Sequence, residues 1–218
     1  MRAWVIGFFF MVSMGRAAAG EDIEAVLERS HAERLARFET ASEFDPRVAV
    51  VRASFARLIA AVAPAAEIEL RVVTGPVMAE TLNGQVIVAN AALARWPEGQ
   101  RLFVLAHELG HVRHQHWSRM GLLFRQYIPG AVVPESTDPV AAVLSREASA
   151  LAYEQELDAD AYAFKVLQRM GIGFDAALGA FMNHGVQPDT ATHPGTRKRV
   201  AHLRLAQQEE AARRARGQ

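Results

Sequence analysis

Apolar and polar positions follow helical spacing through most of the chain, with one stretch of strand spacing before its middle. In residues 21–44, Ile23, Val26, Leu27, Leu35 and Phe38 stand among charges at helical steps, which predicts an amphipathic helix. Asp45-Pro46 interrupts it. Val50, Val51, Phe55, Leu58 and Ile59 then predict a second helix from 47 to about 62, stopped by Pro64. Ile68, Leu70 and Val72 alternate with polar neighbours over residues 67–73, a strand pattern that Thr74-Gly75-Pro76 turns. A short extended piece at 77–80 leads into Asn83-Gly84, the strongest hairpin signal in the chain, with 85–88 as the returning strand. A small antiparallel sheet of this kind has an edge that can hold an extended peptide by main-chain hydrogen bonds.

Beyond the sheet, Pro97 and Glu98 make a helical first turn, and Leu102, Leu105, Leu109 and Val112 recur as a core-facing stripe. Residues 120–133 are apolar in parts but broken by Arg125, Gln126, Pro129 and Gly130, which predicts a connecting loop or a flexible cover. Asp138-Pro139 reads as a helix start, with Gly171 and Gly173 as the stop. Asp175 is placed to cap a short helix through Phe181 and Met182. Thr192-His193-Pro194 opens a last helix that runs into an arginine-rich, solvated tail at 206–218.

The stripe-bearing helix near the middle contains His107-Glu108-Leu109-Gly110-His111. Residues four apart share a helix face, so both imidazoles can converge on one cation, away from the apolar stripe. Nitrogen donors with a position left for water describe catalytic zinc, one ion per chain, and Glu108 follows the first ligand as general base. A further histidine ligand in the His-x-x-Gly-x-x-His continuation is disfavoured, because His114 and Trp117 occupy the glycine and histidine places. His114 and His116 read as packing or surface histidines.

The third ligand is then sought among Glu154, Glu156, Asp158 and Asp160, all on the predicted helix 138–170. Helical rotation allows Glu156 with Asp160 or Glu154 with Asp158 to share a face, but not all four. Leu157, Ala161, Phe164 and Leu167 form the expected inward stripe, and Glu156 and Asp160 flank it. Glu156 is the preferred ligand, with Asp160 accepting the N–H of a metal-bound histidine.

Composition narrows the setting. The chain has 218 residues, half of them hydrophobic, with 24 basic and 24 acidic side chains, so it can bury one good core and carries no field suited to nucleic acid. Arg2, the apolar run 3–14 and the small residues 17–20 form a secretory signal pattern, too short to be a bilayer span. With no cysteine, disulfides are excluded and metal ligands must be histidine or carboxylate. Export without disulfides fits a bacterial periplasm, with no integral membrane domain once the signal is removed.

These residues resemble a known family, the zinc metallopeptidases that include HtpX, the CAAX prenyl protease and soluble exported relatives. The resemblance rests on His107-Glu108-Leu109-Gly110-His111 with His116, Glu156-Leu157-Asp158-Ala159-Asp160, the hairpin through Asn83-Gly84-Gln85-Val86-Ile87-Val88, and Thr192-His193-Pro194 with Arg199. It implies zinc bound by His107, His111 and Glu156, with Glu108 as general base and Asp160 behind the ligands. It also implies that His193 and Arg199 lie near the active site, His193 to inhibit or to polarise substrate and Arg199 to help stabilise an oxyanion.

The expected fold is α+β, a mainly helical zincin-like metallopeptidase domain at 65–205 with a small antiparallel sheet beside the active-site helix, preceded by a signal (1–20) and a helical segment (21–64). The expected function is metalloendopeptidase action on misfolded or misassembled cell-envelope proteins bound as extended strands. The alternative is a chaperone-like envelope binding factor with a self-inhibited or structural zinc site.

Overall fold

The computed structural model describes residues 20–64 and 67–217. The expected signal lies outside these residues apart from Gly20. The chain runs through α1 (Ile23–Ala36), β1 (Glu39–Thr40), α2 (Pro46–Val62), β2 (Glu69–Thr74), β3 (Ala79–Leu82) and β4 (Val86–Asn90). A 3₁₀ turn (Ala91–Arg95) leads to α3 (Glu98–Arg113), α4 (His116–Tyr127), α5 (Pro134–Thr137), α6 (Ala141–Arg169), α7 (Phe174–His184) and α8 (Thr196–Ala215). The α+β class holds. Among the described residues no helix is long and apolar enough to cross a membrane.

The sheet order is β1-β2-β4-β3. The expected hairpin is present: β3 pairs antiparallel with β4, Leu82 opposite Val86, around Asn83 and Gly84 with φ of 51° and 68°. Two consecutive left-handed residues match the twist of the flanking strands. The sheet is mixed, however, because β4 inserts between its hairpin partner and β2 and lies parallel to β2, Leu70 opposite Ile87. The Asn90 side chain secures that crossover by donating to the carbonyls of Gly75 and Val77 at 2.9 and 2.7 Å. β3 is thereby left as an edge strand, beside α3.

Other segments depart from the sequence pattern where tertiary packing outweighs it. The first helix ends at Ala36, because residues 39–40 pair with β2 and extend the sheet. The segment expected as loop or cover at 120–133 begins as helix α4, whose Trp117, Leu123 and Phe124 pack with Ile23, Leu27, Ile128 and Leu144 in a second apolar cluster. Pro129 and Gly130 only end it. Asp138 closes the short α5 rather than opening the long helix, which begins at Ala141. Asp175 lies in the first turn of α7, whose N-cap is Gly173 without a side-chain bond.

At the centre, α3 is buried continuously from Arg101 to Gly110 and on to His111. It lies against α6 at a crossing where Gly110 faces Ala159. A Cβ on Gly110 would stand 3.0 Å from the Ala159 Cα and 3.2 Å from its carbonyl oxygen. The absent side chain lets the two backbones approach, and that approach brings the histidine helix to the acidic one. The inward face of α6 is Ala159, Ala163, Phe164 and Leu167; Leu157 and Ala161, expected in the stripe, are half-buried at its margin.

Helix α1 clamps the hairpin. Arg34 pairs through two nitrogens with the buried Glu80 of β3, at 2.6 and 2.5 Å. The Asn83 N–H donates to His31 Nδ1 at 3.0 Å, and the His31 ring lies 4.0 Å from Trp117 of α4. Burial first, then the Arg34 charge, pushes the His31 imidazole down to about 4.

Two outcomes follow from these contacts. Gly110→Ala forces α3 from α6 and lowers unfolding stability by about 1–3 kcal/mol, the usual range for overpacking, in denaturant titrations. For His31, the folded state binds fewer protons than the unfolded chain between its depressed value and the ordinary one. Its stabilisation is therefore complete above about 6.5 and is lost as pH falls towards 4. Unfolding titrations from pH 7 to 4 should show wild type losing up to about 3 kcal/mol more than His31→Gln.

Candidate metal centre

His107 and His111 lie one turn apart on α3, and their Nε2 atoms are 3.2 Å apart. Glu156 reaches them from α6, with Oε2 3.6 Å from His107 Nε2 and Oε1 3.4 Å from His111 Nε2. One donor atom from each of the three residues lies within 4.8 Å of the others, and all three side chains are buried. Asp160, the other residue of the expected pair, is buried as well, while Glu154 and Asp158 point to solvent. The choice between the two carboxylate pairs is therefore settled by which face of α6 meets Gly110.

The partners on the far sides of the rings orient the donor nitrogens. His107 Nδ1 lies 2.9 Å from Asp160 Oδ1. Donation of the Nδ1 proton to that carboxylate leaves the Nε2 lone pair facing the cluster. His111 Nδ1 lies 2.9 Å from His116 Nδ1, and the His116 ring is fully buried. Burial above all, then the neighbouring histidine charges, pushes His116 down to about 2, so it stays neutral and one of the two facing Nδ1 atoms donates to the other. Donation from His111 Nδ1 leaves His111 Nε2 as a lone pair facing the cluster.

Three potential metal ligands thus converge, and the buried Glu156 Oε2 makes no hydrogen bond among the described residues, although the Arg199 guanidinium stands 3.4 Å away. A cation resolves that arrangement, and two imidazoles with one carboxylate suit zinc. The residues fit the ion.

Around this cluster stands a buried ion pair. Arg199 of α8 donates from Nε to Asp160 Oδ2 at 2.7 Å and from Nη2 to Oδ1 at 2.6 Å, and its Nη1 lies 3.4 Å from Glu156 Oε2. Burial works to raise both carboxyls, but Arg199 and His107 hold Asp160 below the usual carboxylate range, and the His111 hydrogen bond with the charges of His107, Arg199 and His193 holds Glu156 well below it. Glu108, beside His107, is fixed by the Thr81 hydroxyl of β3, whose single proton is shared between the Glu108 Oε2 at 2.8 Å and the Glu108 carbonyl at 2.9 Å. Burial pushes the Glu108 carboxyl up to about 7 in the metal-free protein. His193 approaches from the loop before α8, its Nε2 3.6 Å from Glu156 Oε1 and its Nδ1 2.8 Å from Thr192 Oγ1.

Every sequence-nominated site residue is thus gathered at one place: His107, Glu108, His111, Glu156, Asp160, His193 and Arg199. Two functional neighbours escape the sequence reading. Thr81 has no motif to mark it. His116, read there as a packing or surface histidine, contacts His111 only because the chain breaks at Gln115, a left-handed residue with φ of 52°. In an unbroken helix, positions five apart would be rotated by about 140°. His114, by contrast, is exposed.

The sequence model of peptidase family M48 matches residues 51–207. No curated protein matches the chain in a sequence search.

If His116 orients His111 by accepting its proton, an acceptor at the same place is what matters. His116→Leu should weaken zinc affinity about 10–100-fold in chelator competition, and His116→Asn, whose Oδ1 replaces the accepting nitrogen, should recover most of it. Equal losses in both variants would mean that His116 only fills space.

Proposed function

The chain belongs to peptidase family M48 and is a metalloprotease; we propose that it is a zinc-dependent endopeptidase of the periplasm that cuts misfolded or misassembled envelope proteins. The observation that carries the catalytic part is the convergence of His107, His111 and Glu156 on one point with Glu108 alongside. His107, His111 and Glu156 would hold one zinc ion. When bound, zinc supplies Lewis acidity, lowering the pKa of a water and polarising the peptide carbonyl.

The remaining work belongs to the chain's own groups. Glu108 takes the proton of the attacking water and returns it to the leaving amine. Thr81 holds Oε2, so that transfer uses Oε1. Asp160 keeps His107 in the donor tautomer, and Arg199 keeps Asp160 ionised and turned towards it. The guanidinium is committed to those two carboxylates, so its part is positioning, and oxyanion stabilisation falls to His193.

His193 has two tautomers with opposite effects. If Nδ1 accepts from Thr192, Nε2 carries the proton and donates to a developing oxyanion. If Nδ1 donates instead, Nε2 is a lone pair that competes for the metal, which is the self-inhibited alternative. A peptide substrate is bound in extended form beside β3, the edge strand that Thr81 ties to the general base and whose four residues are buried in the free protein. Export to the periplasm is supported by the signal pattern in residues 1–20.

With zinc content measured in parallel, Glu108→Gln should lose peptide cleavage by about 10²–10⁴-fold and keep its metal. Glu156→Ala should lose the metal, and Glu154→Ala should keep both. Wild-type rates in zinc-loaded Glu108→Gln would overturn the mechanism. A His193→Ala protein that binds unfolded chains yet cuts none would support the binding-factor alternative.

A further inference from the structure

Strand β3 carries two buried polar side chains at consecutive positions, and they leave the sheet on opposite faces. Thr81 stands opposite Ile87, a residue of the main core, and its hydroxyl meets Glu108 of α3. Glu80 stands opposite Val88, which forms an apolar patch with Val73, Leu82 and Val86 on the other face, covered by Leu35 of α1 and by Phe38. There the Glu80 carboxylate is gripped by Nε and Nη2 of Arg34 at 2.6 and 2.5 Å. Arg34 is itself held, its guanidinium 5.7 Å from the centre of the Phe38 ring.

Stability does not account for an ion pair at that place. The neighbouring positions on this face are apolar, and replacing a buried pair by packed apolar side chains is often neutral or stabilising. What the pair does supply is direction, since two parallel N–H···O bonds fix a carboxylate in distance and in plane. β3 needs such a constraint. Within the sheet its four residues pair with β4 alone, so its height above α3 is set by what grips its two faces. Thr81 grips from one side; Arg34 grips from the other, together with His31 at the hairpin end, whose Nδ1 accepts the Asn83 N–H at 3.0 Å.

Resting on the peptidase reading, we propose that Arg34 is a positioning residue for the general base: through Glu80 and the backbone of β3 it sets where Thr81 holds Glu108. Arg34 belongs to α1, a helix that gives no described residue to the main core and that precedes residues 51–207, the part matched by the family. The tuning of the base is thus assigned to a segment outside the matched domain. Without the fork, the Glu80 carboxylate is left among Leu82, Val86 and Val88 with no partner, and a charge so placed moves towards water. Thr81 shares a peptide bond with Glu80 and moves with it. Its single proton is divided between the Glu108 carboxylate at 2.8 Å and the Glu108 carbonyl at 2.9 Å, so a small displacement decides which of them keeps it. An ångström of misplacement near a reacting group is enough to cost about 10²-fold in rate.

The test is a double-mutant cycle on the zinc-loaded chain with a quenched fluorescent peptide, zinc content and unfolding stability being measured on every variant. Arg34→Gln should lower kcat by about 10–100-fold, with KM within about twofold and zinc retained. Arg34→Lys, which keeps the charge and loses the fork, should fall nearly as far. Thr81→Val should lower kcat to a similar degree, and Arg34→Gln added to it should cost less than about twofold more, because the path is already cut. Losses that multiply would make Arg34 a structural residue, and full activity in Arg34→Lys would make charge its only contribution; either overturns the proposal. Should Arg34→Gln not fold, the same cycle is run with Arg34→Lys.

Affinity for a peptide hydroxamate separates this proposal from the peptidase reading, since a hydroxamic acid that binds the metal passes its proton to the neighbouring base without turnover. If wild type cuts no peptide, yet the hydroxamate binds Arg34→Gln about tenfold more weakly and binds the double variant no more weakly than Thr81→Val, the placement of Glu108 stands and the peptidase reading fails. Cleavage by wild type with hydroxamate affinity unchanged in Arg34→Gln fails the proposal and leaves the peptidase reading intact.

Discussion

The structure depends on how closely α3 can approach α6. Gly110 has no side chain and Ala159 has a small one, and at that crossing the backbones come within a methyl group's distance. The consequence reaches along both helices. His111 is the next residue after Gly110, and His107 lies a turn before it. Asp160 follows Ala159, and Glu156 lies a turn before that. A contact between two small residues thus registers two donors on one helix with one on the other, and aligns the Asp160 carboxylate behind the His107 ring. Interiors are packed too densely for such a register to drift, so the small residues set the arrangement of the three donor side chains.

The surrounding layers hold that crossing from three directions. The sheet lies along α3 and sends Thr81 to Glu108. Helix α4, turned back at Gln115, delivers His116 behind His111. Helix α8 delivers Arg199 behind Asp160. Each first contact to the metal position is thus a side chain held by a second side chain from a different element. Function is built where packing of the helices leaves room, at a site whose polar groups are fixed from outside.

What was legible in the sequence follows from how local its causes are. His107, Glu108 and His111 are read from helical spacing alone, and Asn83-Gly84 from the left-handed backbone that a tight hairpin needs. Glu156 and Asp160 were legible as a pair, since rotation on one helix restricts which carboxylates share a face; selecting them over Glu154 and Asp158 rests on the apolar flank, and that flank proved to be shifted, with Ala159 and Ala163 inward of Leu157 and Ala161. Small residues at a close crossing carry a weak hydrophobic signal, so periodicity underweights them. The parallel pairing of β2 with β4, the helix at 116–127 and the early end of α1 were not legible, because each is decided by a partner distant in sequence. Thr81 belongs to the same group, and so does the contact of His116: its place beside the motif was legible, its partner His111 was not.

Charge supplies the remaining constraint. With Glu108, Glu156 and Asp160 ionised and Arg199 protonated, the buried cluster carries three negative charges and one positive, a net of minus two. An excess of that size is costly to bury, and the protein's own groups do not cancel it. In the metal-free protein part of the cost is relieved by proton retention on Glu108, which burial pushes up to about 7. A divalent cation held by the three donors would offset that excess and favour the ionised form of Glu108, the form a general base needs. Arg199 keeps the excess to two charges rather than three and holds Asp160 ionised behind the His107 ring.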